Sequence, residues 1–175
     1  MEDVKEMMLE EEDTQKERYL TFSLEEESYG IEIKYVTEII GIQTITQVPE
    51  LPGYLKGIIN LRGKIIPVMD IRLRFKKKPV EYNDRTCIIV IDIEELCVGL
   101  IVDNVAEVLT IEDDNIAEPP QLTRTGNRYI KSIGRVGNDV KLLLDCRKLL
   151  AEEEIDIPSP DPSSNRPSKP SACSL

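Results

Sequence analysis

Apolar residues along the chain cluster in short runs rich in β-branched side chains: "RYLTFSL", "YGIEI", "KIIPVM", "CIIVIDI", "CVGLIVDNVAEVLTI" and "VKLLL", each bounded by turn residues. Such runs, alternating or continuously apolar over five to seven positions, predict strands. The stretch "YLKGIINLRGKIIPVMDIR" reads as strand, turn, strand, with Arg62 and Gly63 at the turn and Pro67 inside the second run. Helical spacing is nearly absent. Its exception is "DCRKLLAEEE", where Asp145 is placed to cap a helix and Cys146, Leu149 and Leu150 fall at i, i+3 and i+4. That spacing predicts one closing helix over about 145–154, of two to three turns.

The pattern also repeats. "YLTFSLEEESYGIEIKYVTEII", from Tyr19, lies over "IIVIDIEELCVGLIVDNVAEVL", from Ile88, at a constant offset of 69, which matches Gly30 with Gly99, Val36 with Val105 and Glu38 with Glu107. "YLKGIINLRGKIIPVMDIR" lies over "YIKSIGRVGNDVKLLLDCR" at an offset of 75, aligning Tyr54 with Tyr129, Asp70 with Asp145 and Arg72 with Arg147. An insertion near "IEDDNIAEPPQLTRTGN" accounts for the change of offset. Each copy supplies about five short strands, too few to bury a sheet face alone but enough to curl into a small barrel. The expected architecture is mainly β: two small barrels packed together, one over about 18–80 and one over about 84–150, with exchange of chain between them allowed. Gly30, Gly99 and Pro67 read as barrel corners or strand edges.

Outside this body the pattern stops. Residues 1–17 form an acidic leader whose one apolar cluster is Met7, Met8 and Leu9, and 156–175 form a tail holding five of the 11 prolines, expected to be disordered.

Composition narrows the chemistry. With 175 residues and a 41% apolar fraction the chain suits a globular domain with a real core. A net charge of -11 argues against nucleic acid and anionic membrane surfaces as partners. No apolar run approaches the roughly 18–20 residues of a membrane span, and the N-terminus is acidic where a signal peptide is basic, so a cytoplasmic location is expected. Histidine is absent, which removes the commonest general base and the commonest metal ligand together. Cys87, Cys97, Cys146 and Cys173 make no C-x-x-C pair, and three of them sit in apolar contexts as small hydrophobes. No phosphate-loop spacing links Gly53, Gly57 and Gly63, and "IEDDN" lacks the spaced ligands and central glycine of a calcium loop. "RLRFKKK", residues 72–78, reads as a lysine-protected turn between the copies. No catalytic residue, metal site or cofactor is expected.

Two charges stand out. Glu38 has a counterpart in Glu107, whereas Arg62 aligns with Gly137. Opposite charges on a barrel surface commonly pair, and an arginine present in one copy alone points to a task peculiar to that copy. Ile39, Ile40 and Ile42 read mostly as core, with one or two available to a partner patch, Ile39 and Ile42 foremost.

"YGIEIKYVTEII", "ITQVPELPGYLKGIINLRGKIIPVMDIRLRF" and "VGLIVDNVAEVL" together strongly resemble the CheW family of chemotaxis adaptor proteins, over about Tyr19 to Leu150. The resemblance implies two SH3-like five-stranded barrels sharing an apolar interface. It also implies a non-catalytic adaptor linking the histidine kinase CheA, through its regulatory domain, to the cytoplasmic tips of methyl-accepting chemotaxis receptors. Carried over by position, the coupling residues implied are Val36 and Glu38 of V-x-E-I, Gly57 and Arg62 of G-x-x-N-L-R-G, and Val108 of the second V-x-E-V. Location follows as cytoplasmic, at receptor arrays through partners. The Met1 start and proline-rich tail lead us to expect a free-standing chain; a CheW-like module of a related kinase or adaptor pathway, and a small-ligand-binding barrel, are the alternatives.

Overall fold

A computed structural model describes residues 17–120 and 128–151. Eleven strands are formed among the described residues. They are β1 (Arg18–Leu24), β2 (Glu27–Glu32), β3 (Val36–Gly41), β4 (Leu55–Leu61), β5 (Lys64–Asp70), β6 (Cys87–Ile93), β7 (Leu96–Val102), β8 (Asn104–Thr110), β9 (Ile116–Ala117), β10 (Ile130–Val136) and β11 (Asp139–Leu144). Every run expected to be extended is a strand, and the long run from Cys97 is divided at Asp103 into β7 and β8.

The strands form a six-stranded sheet, ordered β8, β1, β2, β11, β10, β9, and a five-stranded sheet, ordered β3, β6, β7, β5, β4. The repeat is present in the pairing itself. Leu20 faces Val108 as Ile89 faces Ile39, and the parallel pair Val68 with Gly99 matches Leu143 with Gly30.

The copies do not divide the chain as two consecutive sheets over about 18–80 and 84–150. The five-stranded sheet is continuous in sequence, from Val36 to Val102, while the six-stranded sheet takes β1 and β2 from the first copy and β8 to β11 from the second. Each copy's leading hairpin thus completes the other copy's sheet. The cause is local: a 3-10 turn at Ile33–Tyr35 follows β2, and a single residue, Asp103, separates β7 from β8, so the chain leaves each hairpin without the slack to fold back on it.

Period-two alternation then builds the core. Along β6, Ile89, Ile91 and Ile93 face a core shared with Leu20, Phe22, Leu24 and Ile31 of the other sheet, while Ile88 and Val90 face an inner cluster with Ile59, Ile66, Val68 and Ile101. Strand β6 is therefore buried on both sides, and each such side chain contributes about 1.5–3 kcal/mol of transfer free energy. Gly99 is needed on the neighbouring strand, because a Cβ there would stand 2.7 Å from Ile88 and 2.9 Å from Val68. Pro67 lies one residue before β5 begins its parallel pairing with β7 at Val68, where a missing N–H costs no ladder bond on that side.

Equivalent aspartates end the two copies. Asp70 caps the helical turn Ile71–Arg74 by accepting from the Arg72 and Leu73 amides, and Asp145 caps helix Cys146–Leu150 by accepting from Arg147 and Lys148. The closing helix is shorter than its spacing predicts: Ala151 is extended, and its carbonyl accepts from Arg74 3.2 Å away, which ends the helix after the buried pair Cys146 and Leu149. "RLRFKKK" is likewise not wholly a solvated turn, since Arg72 and Arg74 are buried. The Arg74 guanidinium lies over Tyr54 at 4.3 Å and over Tyr129 at 5.0 Å, touching the same tyrosine of both copies.

Candidate partner-binding site

The turn between β4 and β5 is built by Arg62 and Gly63, with φ of 53° and 88°, the twin left-handed geometry that closes a two-residue hairpin. Asn60 Oδ1 accepts from the Gly63 amide at 2.8 Å and fixes the turn. Arg62 then projects toward the opposite edge of the sheet, where it donates to both carboxylate oxygens of Glu38 on β3, at 2.9 and 3.4 Å. Since β3 and β4 are the two edges of the five-stranded sheet, this forked pair ties the open edges together. The Arg62 side chain is 77% exposed and that of Glu38 25%, so the pair itself adds about 0–1 kcal/mol to stability.

The other candidates separate into surface and scaffold. Ile39 is exposed on the same edge strand. Val36 leans on the shared core, and Ile42 on the inner cluster, so Ile42 contributes packing. Gly57 is a backbone requirement: at φ 143° a Cβ would stand 2.1 Å from the Thr46 carbonyl oxygen, where Thr46 and Ile58 exchange backbone hydrogen bonds of 2.9 Å. Val108 is not beside these residues. It is exposed on β8, the edge of the six-stranded sheet, at the position equivalent to Ile39.

Two further apolar residues escaped the sequence reading. Ile65 and Val140, at 56% and 52%, are exposed just after the β4–β5 and β10–β11 turns, and they are equivalent at the offset of 75. The signal was an apolar residue at the same place in two turns that are otherwise polar. Equivalent positions of the two sheets thus expose apolar side chains, Ile39 and Val108 on edge strands and Ile65 and Val140 just after the turns, and the Arg62–Glu38 pair lies on the sheet of Ile39 and Ile65. In the second copy Gly137, at φ 61°, keeps the turn but supplies no side chain.

Nothing in this arrangement gathers a nucleophile, a base and an anion hole, and no group of metal-ligating side chains occurs among the described residues. The geometry is that of a protein-binding scaffold: exposed strand edges and turn tips on a β framework. Comparison with known proteins gives the class its family. The CheW-like domain family matches residues 18–154. The chemotaxis protein CheW of Klebsiella aerogenes is 35% identical over 146 residues, covering 83% of this chain and 88% of that protein. CheW of Treponema pallidum is 34% identical over 141 residues, covering 78% and 83%. The crystal structure of the scaffolding protein TtCheW from Thermoanaerobacter tengcongensis superposes with a TM-score of 0.69 at 36% identity, covering 74% of this chain and 88% of that one. The chain belongs to the CheW family, and it is a non-catalytic chemotaxis scaffold.

Proposed function

We propose that this scaffold couples a CheA-type histidine kinase to the cytoplasmic tips of methyl-accepting chemotaxis receptors. The observation that carries this reading is the set of exposed apolar positions repeated on the two sheets, Ile39 and Ile65 on one and Val108 and Val140 on the other, the first accompanied by the Arg62–Glu38 ion pair. Like surfaces on two sheets suit an adaptor whose partners must be held at once, and their difference lets two partners be told apart. Apolar edge and turn positions are the chemistry of strand-edge and barrel-to-barrel joints. In this reading Glu38, Ile39 and Arg62, with Ile65, form the first surface, and Val108 with Val140 the second. Val36 and Gly57 act through the backbone that presents the first.

Tethering alone transmits nothing: a receptor must change its contacts with the adaptor or the kinase differently in the on and off states. Arg62 is the residue we assign to that task, because it is exposed, costs little to remove and has no side-chain counterpart in the other copy. A cytoplasmic position beside the receptors follows from those partners; no helix among the described residues is long and apolar enough to cross a membrane. Co-elution of the purified chain with a CheA regulatory domain and with a receptor-tip fragment tests the partner assignment. Binding of both is expected, and binding of neither would refute it.

A further inference from the structure

Glu38 owes its aim to an irregularity in β3. Val36 faces Ile91 but Glu38 faces Val90, so between these pairs β3 carries one residue more than β6, and that residue is Thr37. Strict alternation places Val36, Glu38 and Ile40 on one side of a sheet. Here Val36 packs against the shared core with Ile91, whereas Ile40 packs into the inner cluster with Ile88 and Val90. The strand therefore turns over at the extra residue. Without it Glu38 would lie opposite Ile89, on the side of the shared core. With it, Glu38 shares the side of Val90 and Ile40, against which Leu61, the residue before Arg62, also packs. The bulge thus re-aims one carboxylate towards one guanidinium.

The Thr37 hydroxyl bridges the break in the ladder by donating to the Val90 carbonyl at 3.1 Å. The second copy has the same bulge, with Ala106 and Glu107 opposite Thr21, between the pairs Val105 with Phe22 and Val108 with Leu20. Ala106, at the place of Thr37, has no hydroxyl to offer. Thr21, at the place of Val90, supplies one from the facing strand: it is buried, donates to the Glu107 carbonyl at 2.7 Å and accepts from the Glu107 amide at 3.2 Å. Each bulge therefore holds a threonine hydroxyl, from the bulged strand in one copy and from its neighbour in the other. A group that recurs by two routes is a requirement of the bulge.

We propose that Thr37 is a positioning residue for the Glu38–Arg62 pair. Its hydroxyl fixes the bulged residue against β6 and so sets the direction from which the Glu38 carboxylate accepts both hydrogen bonds of Arg62. Thr37 bonds to β6 while Arg62 sits on the turn between β4 and β5, so the influence of one on the other passes through Glu38. The role rests on the function proposed above only for its consequence in signalling.

Amide spectra of the full chain decide the positioning role without any partner. Glu38→Ala gives the positions of the Arg62 and Gly63 amide resonances when the pair is broken. Thr37→Val keeps the branched shape and deletes the hydroxyl, and is expected to move both resonances along the line from wild type towards those positions. Thr37→Ser keeps the hydroxyl and is expected to leave them near wild type. In the Glu38→Ala background, Thr37→Val should move them no further. Unmoved resonances in Thr37→Val, equal displacement by Thr37→Ser, or a further shift in the Glu38→Ala background would each overturn the assignment. In a reconstituted receptor, kinase and adaptor assay, Thr37→Val is expected to weaken receptor control and Thr37→Ser to retain it. Full control in Thr37→Val and Arg62→Ala alike, with the resonances displaced, would refute the signalling role of the pair and leave its geometry assigned to Thr37.

Discussion

A Cβ on Gly57 would stand 2.1 Å from the carbonyl oxygen of Thr46, closer than any packing rearrangement of side chains can relieve, because the obstacle is backbone. The glycine and the Thr46–Ile58 bridge are one construction, and it holds the start of β4 beneath the Arg62 turn.

Gly57→Ala is therefore expected to destabilise the fold by about 2–4 kcal/mol, through left-handed strain and displacement of residue 46. Urea denaturation measures it. Any loss of coupling in this variant should accompany lost stability, unlike that of an exposed contact residue.

Asp103 and Arg72 make a pH-dependent contribution. Burial pushes the Asp103 carboxyl up, but hydrogen bonds from Arg72 and the Glu25 amide, with the charges of Arg72 and Lys77, outweigh it and hold the group below its ordinary value of 3.8. A folded-state pKa that is depressed gives stability that is fully present above 3.8 and is lost as pH falls through the lower folded value. Asp103→Asn is expected to cost about 1–3 kcal/mol at neutral pH, by leaving buried Arg72 with Glu25 as its one carboxylate partner beside the Lys78 carbonyl, and the difference from wild type should shrink below pH 3.8. Urea midpoints for both chains across that range decide it.

The three described cysteines should react very differently. Burial, with the nearby Glu32 and Asp145 charges, pushes the Cys146 thiol up to about 12, whereas Cys87 and Cys97 are half-buried. Alkylation of the native protein near pH 8 is expected to label Cys87 and Cys97 well before Cys146, as read by mass spectrometry. Equal rates would show that the helix Cys146–Leu150 opens readily.

Much of this molecule is written in the sequence, and the reasons for the rest are physical. Strand positions follow from alternation, and the aligned aspartates are caps in both copies. The exchange of hairpins is not legible from the offsets, because Gly30 over Gly99 and Tyr54 over Tyr129 read the same whether each copy closes on itself or on its neighbour. What decides is the length of the connections at Ile33–Tyr35 and Asp103. Arg72 and Arg74 looked like solvent charge because their partners are distant in sequence: Asp103 for one, and Tyr54 and Tyr129 for the other. The pairing of Glu38 with Arg62 was foreseeable from charge and position; Ile65 and Val140 were visible only by comparing the two turns.

The central claim is that Arg62 transmits receptor state without holding the fold together. In a reconstituted receptor, kinase and adaptor assay, Arg62→Ala is expected to keep the wild-type urea midpoint within about 1 kcal/mol while receptor ligands no longer change kinase activity. Wild-type receptor control by this variant at equal stability would contradict it.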